Sequence, residues 1–183
     1  MYSVDIQSGL LNKAIQIESP NCDLRPDNTE ISLIVVHGIS LPPSDFGGDY
    51  IEHFFTNTLD CSQHSYFEEI KDLKVSSHLL IDRQGTVKQF VPFNKRAWHA
   101  GVSVFNGREC CNDFSIGIEL EGADDIAYTD IQYDRLQQVC HQLINTYPGI
   151  LAENIVGHCD IAPGRKTDPG ESFDWQRFKA KFA

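Results

Sequence analysis

Between Gly157 and Gly170 the chain reads Gly-His-Cys-Asp-Ile-Ala-Pro-Gly-Arg-Lys-Thr-Asp-Pro-Gly, which gathers His158, Cys159, Asp160, Arg165, Lys166 and Asp168 into one short segment. Residues 154–157 read as a strand that delivers His158 at its end. Two Pro-Gly pairs disfavour helix and sheet beyond it, so the segment is expected to be a loop with a fixed course. A constrained, charged loop after a buried strand is where scaffolds carry chemistry. A second imidazole, His37, ends the apolar run Leu33-Ile34-Val35-Val36, and Glu119 lies in the alternating stretch 114–121.

Two imidazoles and one carboxylate are a donor set for catalytic zinc, which keeps a fourth position for water and lowers that water's pKa towards neutrality. A nearby glutamate can take a proton and return it to a leaving amine, and a lysine can steady an oxyanion. His37, His158, Asp168, Glu119 and Lys166 could fill these five roles. Residue type leaves other assignments open. Asp160 and Cys159 compete with Asp168 for the third ligand, since both lie beside His158 and thiolate suits zinc. The two histidines are also readable as hydrogen-bonded rim residues, and Asp168 before Pro169 as a turn former. Glu119 and Glu121 are readable as solvent-facing, Arg165 and Lys166 as a solvated loop pair, and Trp98 and His99 as loop packing. Gly117, beside Glu119, leaves room for something to approach the sheet.

Such groups need a scaffold, and the pattern supplies one. Residues 32–37 are apolar on both faces and β-branched, as in a central strand. Residues 75–81 and 87–91 flank Asp82-Arg83-Gln84-Gly85, a hairpin signal. The alternation in 114–121 sets Phe114, Ile116, Ile118 and Leu120 against Ser115, Gly117, Glu119 and Glu121. Thr129 with Gln132 predicts a capping box, and Tyr133, Leu136, Cys140, Leu143 and Tyr147 keep helical spacing until Pro148-Gly149. Short helices are expected over 50–58 and 175–182, a helix or loop over 60–73, a short strand near 14–17, and a long surface loop over 94–108. The fold class is α/β (α+β): a central mixed β-sheet flanked by helices. A single domain over 1–183 is expected, with residues 1–30 as an N-terminal arm and 31–178 as the core.

Composition narrows the partners. With 15 basic and 26 acidic residues the net charge is -11, which argues against nucleic acid or an anionic membrane. No apolar run reaches the length of a membrane span, and the N-terminus does not read as a signal peptide. The six cysteines are therefore expected as reduced thiols, and the cytoplasm as the location.

Five segments in order carry a resemblance: Val35-Val36-His37; residues 77–85, Ser-His-Leu-Leu-Ile-Asp-Arg-Gln-Gly; residues 95–101, Lys-Arg-Ala-Trp-His-Ala-Gly; residues 112–122, Asn-Asp-Phe-Ser-Ile-Gly-Ile-Glu-Leu-Glu-Gly; and residues 157–170. Together they resemble the zinc N-acetylmuramoyl-L-alanine amidases, a superfamily that includes the peptidoglycan recognition proteins. The greatest similarity is to the cytoplasmic AmpD-type 1,6-anhydro-N-acetylmuramyl-L-alanine amidases of cell-wall recycling. The resemblance implies hydrolysis of the amide joining the lactyl group of (anhydro-)muramic acid to L-alanine in muropeptides. It implies zinc ligands at His37, His158 and Asp168, an acid/base at Glu119 and an oxyanion-stabilising Lys166. Substrate contacts are implied at Gly38, Lys74, Trp98, His99 and Ala100. Gly38 departs from relatives that often carry Asn there, and Cys110 from some that are basic. A muropeptide is the expected partner of a monomeric enzyme. Lys74, Lys88, Lys95, Arg96, Arg108 and Lys166 are expected to make the positive field that an anionic substrate needs. The alternatives are a lytic amidase acting on intact peptidoglycan, a non-catalytic muropeptide receptor, and a cysteine hydrolase built on Cys159 or Cys140.

Overall fold

The computed structural model describes residues 2–182. Its centre is a six-stranded sheet of β1 (Ile15–Gln16), β2 (Leu33–Ile39), β3 (Leu79–Ile81), β4 (Val87–Gln89), β5 (Ser115–Glu121) and β6 (Ile155–Gly157). The spatial order is β6-β2-β5-β3-β4-β1. Strands β6, β2, β5 and β3 run parallel, the β3–β4 hairpin is antiparallel, and β1 adds in parallel at the edge. The helices are α1 (Tyr50–Phe55), α2 (Ser65–Ile70), α3 (Asp130–Thr146), the single turn α4 (His158–Ile161) and α5 (Trp175–Lys179). Among them none is long and apolar enough to cross a membrane.

Strand β2 is central because its Leu-Ile-Val-Val run is buried on both faces. Ile34 and Val36 join Ile116, Ile118 and Leu120 beneath Leu136, Val139, Cys140 and Leu143 of α3. On the opposite face Leu33 and Val35 pack with Ala100, Cys111 and Ile161, and a separate aromatic cluster forms around Phe54, Phe55, Phe67 and Phe90. Helix α3 starts as its sequence predicts: Gln132 N–H donates to Thr129 Oγ1, and Thr129 N–H to Gln132 Oε1. The Gln132 amide also donates to the carbonyls of Ile81 and Glu121, tying the helix start to the ends of β3 and β5.

Several expectations are corrected. Strand β2 runs past His37 to Ile39, so the histidine lies within a paired strand rather than at its end. Phe114 belongs to the Leu33–Val35 side, because it closes a turn (φ -123°, ψ 8°) before the extended strand begins at Ser115. Glu119 and Glu121 are buried, which removes the alternative reading of both as solvent-facing. Glu121 accepts from the N–H groups of Gly47 and Arg83 and so pins two loops. Residues 94–108 are not wholly a surface loop. Ala97, His99 and Ala100 are buried, and Lys95–Ala97 pairs with Cys22–Leu24 of the arm. Arg25 anchors that arm by donating to the carbonyls of Phe93, Asn112, Asp113 and Ser115, and burial pulls its guanidinium down to about 10, still charged at neutral pH. The helices over 50–58 and 175–182 are shorter than expected, and α2 fills part of 60–73.

Candidate active site

Register brings the site together. His37 stands opposite Glu119 across the β2–β5 pair, so both side chains leave the same face. Gly157 stands opposite Val36 across β6–β2, and the next residue, His158, therefore emerges beside His37. These are the C-terminal ends of parallel strands, where open α/β sheets place their ligands. His158 opens α4 rather than a loop, because Asp160 accepts from Gly157 N–H at 2.7 Å and caps the turn. That bond commits Asp160 to the backbone. Beyond α4 the chain returns: Cys159 N–H donates to the Asp168 carbonyl at 3.0 Å, and Tyr128 O–H to the Pro169 carbonyl at 2.9 Å.

The result is a triangle of ligand atoms. His37 Nδ1 lies 3.0 Å from His158 Nδ1 and 3.2 Å from Asp168 Oδ2, and His158 Nδ1 lies 3.0 Å from the same oxygen. Among the described residues these three form the one cluster of His, Cys, Asp or Glu able to surround a metal ion. Tetrahedral zinc with bonds near 2.0–2.1 Å sets its ligands about 3.3 Å apart, close to these edges. Chemistry points the same way. His158 Nε2 lies 3.2 Å from the Ala100 carbonyl, which only accepts, so the proton sits on Nε2 and the Nδ1 lone pair faces Asp168. Two acceptors that close repel each other unless a cation lies between them. Burial holds His37 down to about 4, against the opposing pull of Asp168, which leaves the neutral ring a metal needs.

Glu119 sits beside this triangle, buried, with its Oε2 unpartnered among the described residues. Burial and then the Asp168 charge raise its carboxyl well above the ordinary range, with Lys166 pulling the other way. Raised carboxyls poised in clefts suit proton transfer. The triangle, Glu119 and Lys166 all line one cleft of about 400 Å³, with Tyr66 and Trp98 on its other walls.

Not every expected residue reaches that cleft. Gly38, Trp98 and His99 line it, and the His99 Nδ1 lies 2.9 Å from His37 Nε2. Ala100 is buried behind the site, its carbonyl accepting from His158 and Arg165. Lys74 is exposed and borders a separate small hollow beside Leu59 and Cys61. The expected positive field reduces to Lys166 at the cleft. Lys88 is paired with Glu52, Arg96 with Asp23 and Asp113, Arg108 lies over the Phe114 ring, and Lys95 borders a separate hollow beside Cys22. One residue, Tyr128, escaped the sequence reading, and Arg165 is not the solvated loop residue it could have been. Arg165 donates to the carbonyls of Ala100 and Val102 at 2.7 Å each, and so braces the segment behind His158. Tyr128 fills the space a side chain at Gly38 would need. It precedes the α3 cap and so carries no periodic signal; the glycines at 38 and 122 that abut it were the visible hint.

Residues 27–171 match the N-acetylmuramoyl-L-alanine amidase family. The 1,6-anhydro-N-acetylmuramyl-L-alanine amidase AmpD of Citrobacter freundii is 58% identical over 175 residues, spanning 96% of this chain and 93% of that protein. The crystal structure of a selenomethionine AmpD derivative superposes with a TM-score of 0.94 at 57% identity, covering 98% of this chain and 99% of the other. The Escherichia coli amidase AmiD, in complex with anhydro-N-acetylmuramic acid-L-Ala-D-gamma-Glu-L-Lys, gives a TM-score of 0.60 at 30% identity over 86% of this chain and 60% of that one. The chain belongs to the N-acetylmuramoyl-L-alanine amidase family, in its AmpD-type branch.

Proposed function

We propose that this protein hydrolyses the amide between the lactyl group of 1,6-anhydro-N-acetylmuramic acid and L-alanine in muropeptides, using one zinc ion held by His37, His158 and Asp168. The observation that carries this reading is the triangle of three ligand atoms beside a buried, unpartnered Glu119 carboxyl in one cleft. The AmiD complex supports the substrate class, since its ligand holds the same amide.

Zinc bound there supplies Lewis acidity and a water acidic enough to act at neutral pH. The chain supplies the proton traffic. As the water oxygen joins the lactyl carbonyl carbon, Glu119 takes up the released proton, and it delivers a proton to the alanine nitrogen as the C–N bond breaks. Lys166 places positive charge at the cleft, where the carbonyl oxygen becomes an oxyanion. Trp98 offers an aromatic wall to the substrate. Every one of these groups comes from a single chain, so one amidase domain would suffice for the reaction. The six free thiols, two of them in the core, suit a reducing cytoplasm.

The test is incubation of the zinc-loaded protein with anhydro-N-acetylmuramyl-tripeptide and mass analysis of the products. Free tripeptide and anhydro-N-acetylmuramic acid are expected. Release confined to intact peptidoglycan would overturn the recycling assignment, and binding without cleavage would make the protein a receptor.

A further inference from the structure

We infer that Ser115, acting through His99, fixes which nitrogen of His37 carries the proton and so turns the His37 Nδ1 lone pair towards the metal position. The inference deepens the zinc reading above and rests on it. It starts from the Cys111 carbonyl, which can only accept. Ser115 Oγ lies 2.6 Å from that carbonyl and 3.0 Å from His99 Nε2. The single hydroxyl proton therefore goes to Cys111, and Ser115 Oγ accepts from His99 Nε2–H. His99 Nδ1 is then bare, 2.9 Å from His37 Nε2, so His37 donates from Nε2. That leaves His37 Nδ1 without a proton.

A second proton on His99 would reverse the last link, but no carboxylate contacts this ring among the described residues. Its ring neighbours are the imidazoles of His37 and His78, with centroids at 5.0 and 5.8 Å. The chain of bonds also explains two sequence features. A Cβ on Gly117 would stand 2.5 Å from His99 Cγ, so glycine is the seat of the ring between Ser115 and Glu119. The Asn112 Oδ1 accepts from the N–H groups of both His99 and Ala100, at 3.1 and 2.8 Å, which fixes the segment that presents the ring. His99 is thus placed by geometry as a positioning residue for a ligand. With His158 already committed through Ala100, three lone pairs converge and no proton lies among them. Such outer partners commonly govern metal affinity.

Long-range proton–nitrogen NMR of the nitrogen-15-labelled protein, metal-free and zinc-loaded, reads the tautomers directly. Near neutral pH, His99 is expected to carry its proton on Nε2 in both forms, and His37 and His158 on Nε2 once zinc is bound. In Ser115→Ala, His99 is expected to populate both tautomers, and zinc affinity by chelator competition to fall about 10–100-fold. A proton on Nδ1 of His99 in the unmutated protein, a result that needs no variant to fold, would overturn the inference. So would unchanged zinc affinity in a folded Ser115→Ala protein. The expected His99 tautomer in a protein that binds no zinc would uphold the relay and refute the metal reading instead.

Discussion

Strands β2 and β5 send alternate residues to two faces that are built by different rules. Under α3, Ile34, Val36, Ile116, Ile118 and Leu120 join Leu136, Val139 and Leu143 in one apolar cluster. On the other face the same strands present Val35, His37, Ser115, Gly117 and Glu119, and almost every polar group has a specific partner. The first face needs volume and hydrophobicity, which many sequences supply. The second needs individual atoms placed to a few tenths of an ångström, and it tolerates a buried carboxyl with an unpartnered oxygen. Stability and catalysis are therefore separable across one sheet.

Substitutions on the two faces test that separation. On the site face Glu119→Gln is expected to keep zinc and the fold while kcat falls about 10²–10⁴-fold; a loss below tenfold would assign the proton transfer elsewhere. On the helix face Leu136→Ala removes a fully buried side chain and is expected to cost about 2–5 kcal/mol, lowering Tm by roughly 10 °C in a thermal melt. Turnover per folded molecule should stay unchanged. Gly117→Ala sharpens the comparison, since the added methyl meets His99 rather than the core. Zinc affinity is expected to fall about tenfold by chelator competition, with KM nearly unaffected. The smallest effect is expected from Lys74→Ala, which should leave kcat/KM within about twofold because that side chain lies outside the cleft.

The helix face was legible in the sequence because its signals are local. Alternation in 114–121, the capping box at Thr129 and Gln132, and the hairpin around Gly85 each depend on neighbours a few residues away. The residue types of the site were legible too, and Gly117 announced a close approach to the sheet. What approaches, the His99 ring, could not be read, because residues 94–108 are drawn inward by distant partners. Asn112 holds the backbone of His99, Ser76 Oγ accepts from Trp98 N–H, and Arg165 reaches Ala100. The same holds for charge. Lys88 and Arg96 look free in the sequence, and their neutralising partners Glu52 and Asp23 lie far along the chain. Local type likewise left Asp160 and Asp168 indistinguishable; the family resemblance pointed to Asp168, and the Gly157–Asp160 bond commits Asp160 to the backbone.

The most direct test is a zinc titration of metal-free protein while amide cleavage in anhydro-muropeptide is followed, alongside His37→Ala and Asp168→Ala. Activity is expected to rise linearly and saturate at one zinc per chain, with both variants remaining at background. Full turnover by the metal-free protein, or by either variant, would contradict the account.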